Sequence, residues 1–108
     1  IIATEPDNSP ILSKGVGCRH RIMGTAPGFI PDTLDQNSYD DIIPINADQA
    51  IAVSRRLAER EGIFCGISCG AAVLGMLEYA RRDVAQDQQL LAILADTGER
   101  YLSTELWA

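Results

Sequence analysis

Basic residues are scarce here: nine lysines and arginines stand against fifteen aspartates and glutamates in 108 residues, for a net charge of −6. That balance argues against nucleic acid or an anionic membrane surface as a partner, since both call for basic patches. No apolar run approaches the roughly 20 residues needed to cross a bilayer, and no segment resembles a signal peptide. Three cysteines are an odd count without framework spacing, so a reducing cytoplasm is the expected setting. Histidine and lysine each occur once, as His20 and Lys14. There is no internal repeat and no initiating methionine. Ile1 to Glu5 already reads as a strand, with no cap or turn before it, so the expectation is a truncated chain that begins inside a sheet.

What is present alternates between strand and helix. The 46% hydrophobic content is enough for the core of one domain. After the first strand, Asp7 to Pro10 turns the chain, Ile11 to Ser13 forms a short helical turn, and Gly15 to His20 is a glycine-rich loop. Prolines and glycines between Gly24 and Pro31 exclude a regular helix or a central strand. Asp41 to Ile45 reads as a strand that Pro44 confines to an edge or sheet end. Asn46 to Gly62 is the clearest helix: Asn46 caps it with Gln49 three residues on, and Ala50, Val53, Leu57 and Ala58 make the inward stripe. Arg55, Arg56, Glu59 and Glu61 fall on its solvated face. Leu90 to Ala95 is a continuous apolar run, read as a buried strand ending at Asp96.

The most informative stretch runs from Gly62 to Ala72, Gly-Ile-Phe-Cys-Gly-Ile-Ser-Cys-Gly-Ala-Ala. Ile63 to Ile67 is short and apolar, as in a covered parallel strand. Ser68 is then a natural N-cap, with Gly70 allowing a close approach to the backbone. Ala71 to Leu77 is apolar on every face, which marks a central helix. Gly66-Ile67-Ser68-Cys69-Gly70 also fits G-x-S-x-G, the nucleophile elbow of hydrolases. In those enzymes an acid and then a histidine follow the serine. Here the only histidine precedes it, and a serine without a nearby base is a poor nucleophile. In open α/β sheets, ligands collect beyond the carboxyl ends of strands. Ile67-Ser68 and Ala95-Asp96 are both such ends.

Several segments carry a resemblance in matching order and spacing. They are Glu5-Pro6 with Ser9-Pro10-Ile-Leu, His20-Arg-Ile-Met-Gly24, Gly28-Phe-Ile-Pro31, the run from Glu61 to Ala72, and Gly98-Glu-Arg-Tyr-Leu-Ser-Thr104. Together they resemble the C-terminal part of cysteine synthase, or O-acetylserine sulfhydrylase, a pyridoxal-phosphate enzyme of the tryptophan synthase β-like class. The resemblance covers essentially the whole chain. It implies an α/β fold: a partial open parallel sheet with flanking helices, the later part of the larger domain of a fold-type II enzyme. It implies β-replacement on O-acetyl-L-serine by sulfide, giving L-cysteine and acetate. It also implies a homodimer and, as a partner, the C-terminal tail of serine acetyltransferase.

On this resemblance Ser68 meets the pyridine nitrogen of pyridoxal phosphate, Ala95 and Asp96 lie on the cofactor side, and Gly24 and Gly28 lie on the substrate side. The physical chemistry is consistent. A helix N-terminus carries about half a positive charge, so a neutral hydroxyl there holds the ring nitrogen unprotonated and the ring less electron-withdrawing than a carboxylate would. Such a ring suits β-elimination.

Three departures from the family pattern stand out. Gly24-Thr25-Ala26-Pro27-Gly28 has fewer glycines than is common, Ala95 replaces a common proline, and Cys69 replaces a frequent second serine. Substrate choice stays open to a cystathionine β-synthase-like or O-phosphoserine-using member. No catalytic residue is expected within the chain. The lysine that anchors the cofactor must be held and partly desolvated, whereas Lys14 lies in a surface loop, so the chain by itself is expected to be inactive. A noncatalytic binding fragment is the alternative from another class. No metal is expected: Cys18, His20, Cys65 and Cys69 are ligand types, but Cys65 falls on a strand and Cys69 on the following helix, unlike the turn-borne pairs of structural zinc sites.

Overall fold

The computed structural model describes residues 1–108. Strands β1 (Ile2–Pro6) and β2 (Asp41–Ile45) pair in parallel, with Ile2 opposite Asp41 and Pro6 opposite Ile45. A parallel pair needs a crossover. This one runs through the short helix α1 (Ile11–Lys14) and a long irregular stretch. Pro44, which has no amide hydrogen to donate, sits on a strand with a neighbour on one side only. Glu5 is almost wholly buried at 3% exposure. Its carboxylate accepts the amide hydrogens of Leu12 at 2.8 Å and Ser13 at 3.2 Å, and the Ser13 hydroxyl as well. Those are free donors at the start of α1, so Glu5 fixes where strand hands over to helix.

Helix α2 (Ala47–Arg56) begins as its sequence dictates: Asn46 Oδ1 accepts from the amides of Asp48 at 3.0 Å and Gln49 at 3.2 Å. The reciprocal half of a capping box is not formed; the Asn46 side-chain Nδ2 donates to Asp7 Oδ2 at 3.2 Å. Beyond Arg56 the helix widens into a π turn, Leu57–Glu61, closed by Gly62 at φ 68°. Its buried residues are Ala50, Ile51 and Ser54, while Val53, Leu57 and Ala58 are only half-buried. The reason is the next helix, α3 (Ile67–Ala80). A Cβ at Gly70 would overlap Ala50 O and Ser54 Oγ, so the two helices touch through their smallest residues. Arg55 is not a purely solvated charge either. Its guanidinium donates to Leu106 O at 2.7 Å and Glu105 O at 2.6 Å, tying down the last turn of the chain.

The core lies where β2, α2 and α3 meet, through Ile43, Ile45, Ala50, Ile51, Ala71 and Leu74. Each of the larger side chains contributes on the order of 1.5–3 kcal/mol on burial.

Two expected buried strands do not form. Residues 63–66 and 90–95 join no ladder. Ile63 and Phe64 are 39% and 40% exposed, Leu91 and Ile93 are 90% and 77% exposed, and Ile67 already belongs to α3. An apolar run becomes a buried strand only when neighbours supply a ladder and a cover. Strand β1 is paired to β2 along one edge. Its other side borders a groove of about 720 Å³, floored by α3 and walled by residues 89–93. No helix is long and apolar enough to cross a membrane.

Candidate cofactor-facing site

Ser68 does not cap α3. Gly66 occupies the cap with extended backbone (φ −80°, ψ 177°), and Ser68 is the second helical residue. The acceptor at this helix start comes from thirty residues further on, because Asp96 Oδ1 accepts the Gly66 amide hydrogen at 3.1 Å and the Cys69 thiol at 3.1 Å. Asp96 Oδ2 accepts the Tyr101 hydroxyl. On the other side of the turn, Ser54 Oγ lies 3.0 Å from Gly66 O. Gly66 has to be glycine: a Cβ there would run into the Asp96 carboxylate and the Tyr101 ring.

Freed from capping, the Ser68 hydroxyl has no partner within the chain, and it is only half-buried, so it is not sealed off from solvent. Gly24 faces it. A Cβ built on Gly24, whose φ is +90°, would lie 3.5 Å from Ser68 Oγ. The loop that carries Gly24 is organised by its own residues. His20 Nδ1 accepts from Ile22 N at 3.2 Å and Nε2 meets Ala26 O at 2.8 Å, which defines a neutral ring with its proton on Nε2. Thr25 Oγ1 donates to Ile22 O at 2.9 Å. Arg21 reaches Glu105 through two bonds, at 2.8 and 2.7 Å, and Asp48 at 2.9 Å, anchoring the loop to the body.

Ser68 and Gly24 are therefore brought together, and Asp96 joins them through the 66–69 turn. Gly28, at φ +92°, is placed against Gly17 instead, and Ala95 is exposed. Lys14 ends α1 and is exposed. Because His20 is engaged within its own loop, it offers Ser68 no base. Cys18 is exposed while Cys65 and Cys69 are buried, and no cluster of three metal-ligating side chains forms. The parts that residue patterns did not disclose are the Asp96–Tyr101–Cys69 bonds, Ser54 behind Gly66, and His20 as loop organiser. Gly98 to Thr104 carried a signal, but nothing local says that Tyr101 turns back onto Asp96.

Burial alone would raise the Asp96 carboxyl above its ordinary range. The bonds from Tyr101, Cys69 and the Gly66 amide outweigh it and hold the group below that range. The same bond to Asp96 raises the Tyr101 hydroxyl. Burial, followed by the neighbouring Cys69, pushes the Cys65 thiol up to about 11. The free hydroxyl at the positive end of a fourteen-residue helix suits an uncharged heterocyclic nitrogen and disfavours a cationic one.

Residues 1–96 match the family model for pyridoxal-phosphate dependent enzymes. The chain is 48% identical over 104 residues to a probable cysteine synthase of Bacillus subtilis (strain 168), an alignment that covers 96% of this chain and 33% of that protein. It is 43% identical over 108 residues to a cysteine synthase of Staphylococcus aureus (strain Mu50), covering all of this chain and 34% of that one. The crystal structure of a cysteine synthase from Entamoeba histolytica superposes with a TM-score of 0.95 at 39% identity, over 99% of this chain and 32% of that one. The chain thus spans about a third of the length of the curated relatives it matches.

Proposed function

The chain belongs to the pyridoxal-phosphate-dependent enzyme family, and from that premise we propose that it forms the Ser68-bearing wall of a cysteine synthase-type active site. The assembled enzyme converts O-acetyl-L-serine and sulfide into L-cysteine and acetate. It works as a cytoplasmic homodimer whose cleft also admits the C-terminal tail of serine acetyltransferase. The observation that carries this reading is the unpartnered Ser68 hydroxyl at the start of α3, with Gly24 opposite it.

These residues fit one edge of pyridoxal phosphate. The Ser68 hydroxyl would donate to the ring nitrogen, and the positive end of α3 would disfavour protonation of that atom. Ala95 and Asp96 border the cofactor side. Gly24, which has no side chain to fill the space before Ser68, leaves room for the substrate, and Gly28 holds the far end of that loop. When bound, the cofactor supplies an electron sink that acidifies the α hydrogen of an amino acid and releases a group from its β carbon. No residue of this chain is assigned to anchor the aldehyde or to cradle the phosphate, and exposed Lys14 is suited to neither. The chain by itself is therefore inactive.

The test joins these residues to the remaining two thirds of the Bacillus subtilis relative and measures L-cysteine formed from O-acetyl-L-serine and sulfide. Activity is expected, and Ser68→Ala is expected to lower kcat/KM by about tenfold or more, the scale of one lost hydrogen bond in a site shielded from water. An unchanged rate in Ser68→Ala would remove Ser68 from the site.

A further inference from the structure

We propose that Asp96 is a positioning residue that sets where the Ser68 hydroxyl points. This deepens the reading above and rests on it for its functional meaning, although the geometry stands without it. Both carboxylate oxygens are already committed within the chain: Oδ1 to the Gly66 amide and the Cys69 thiol, Oδ2 to the Tyr101 hydroxyl. Asp96 therefore acts on a ligand through Ser68. The residues it grips, Gly66 and Cys69, flank Ile67-Ser68 on either side, so two fixed points bracket the residue whose side chain is left free. The third contact ties the same carboxylate to the Gly98–Tyr101 turn.

Backbone pairing holds this segment at Phe64, whose carbonyl accepts the Gly98 amide hydrogen at 3.1 Å, but the Gly66 amide itself is taken by Asp96. The turn's own serine does not cap the helix, and residues 63–66 have no ladder to align them. Ser54 holds the carbonyl side of Gly66, leaving the amide side to Asp96. A carboxylate suits this post because it accepts three donors at once, whereas an asparagine in its place has one acceptor oxygen. The titratable groups around Asp96 are the Tyr101 hydroxyl, the Cys69 and Cys65 thiols and the Arg100 guanidinium, of which Arg100 alone carries a charge.

The first arm of the test uses the chain itself. Amide hydrogen exchange and proton–nitrogen spectra are compared for wild type, Asp96→Ala, Asp96→Asn and the milder Tyr101→Phe. Asp96→Ala is expected to speed exchange at Gly66 about tenfold or more and to shift the signals of Ile67, Ser68 and Cys69, with Ala47 to Ala52 unmoved. Asp96→Asn is expected to recover part of the change, and Tyr101→Phe to give a smaller shift of the same residues. In the wild type, the Ser68 and Gly66 amides are expected to follow one acid titration, which Asp96→Asn abolishes. Unchanged Gly66 exchange and Ser68 signals in both Asp96→Ala and Tyr101→Phe would overturn the proposal.

The second arm uses the assembled holoenzyme and reads the absorbance of bound pyridoxal phosphate. A band moved by Ser68→Ala and also by Asp96→Asn supports the proposal. A band moved by Ser68→Ala but not by Asp96→Asn overturns it and leaves the cofactor reading standing. A band that Ser68→Ala does not move overturns the cofactor reading, while the first arm still decides the role of Asp96 in the turn.

Discussion

Gly24 and Ser68 face each other across the mouth of the site, so close that a methyl group on Gly24 would lie 3.5 Å from Ser68 Oγ. The two are forty-four positions apart and belong to an irregular loop and a helix start. What brings them together is the hydrogen bonding of His20 and Arg21 on one side and of Asp96 on the other.

Gly24→Ala is expected to weaken the site for two reasons. At φ +90° a side chain strains the backbone by roughly 1–2 kcal/mol, and its methyl group occupies the space before Ser68. In the assembled enzyme KM for O-acetyl-L-serine is expected to rise more than kcat falls, as steady-state kinetics would register.

Gly70→Ala tests the packing beneath the site. The new methyl group meets Ala50 O, which is backbone and cannot step aside, as well as Ser54 Oγ. A loss of about 1–3 kcal/mol is expected from overpacking, seen as a lower urea midpoint at unchanged slope.

Acid and alkali act on the Asp96–Tyr101 pair with opposite signs. The folded carboxyl titrates below its ordinary range, so its contribution to stability is complete above about pH 4 and is lost as pH falls through the depressed value. The folded Tyr101 hydroxyl titrates above its ordinary range, so its contribution is complete below about pH 10 and is lost as pH rises through the elevated value. Melting temperatures of wild type and Asp96→Asn are therefore expected to differ at neutral pH and to converge as the solution is acidified.

Elements specified by neighbouring residues were legible in the sequence. Asn46 starts α2, Pro44 keeps β2 at an edge, and the apolar faces of α3 make it central. Features specified from a distance were not. Leu90 to Ala95 has the composition of a buried strand, but a strand is completed by its neighbours, and Leu91 and Ile93 lie open. Ser68 has the composition of a cap, but Asp96 arrives from thirty residues away to take the Gly66 amide. The helix cap also falls two residues before Ser68, at Gly66, and this works in favour of the site, since it leaves the Ser68 hydroxyl unpaired. The α2 stripe shifted for a similar reason: Gly70 of α3 selects Ala50 and Ser54 as its contacts.

The central claim is a hydrogen bond between the Ser68 hydroxyl and the ring nitrogen of pyridoxal phosphate. Nitrogen-15 spectroscopy of ring-labelled cofactor, bound to the assembled enzyme with and without Ser68→Ala, reads that bond directly. An unprotonated, hydrogen-bonded nitrogen that shifts toward the free-base position in Ser68→Ala is the predicted result; a protonated nitrogen, or one indifferent to the substitution, would contradict it.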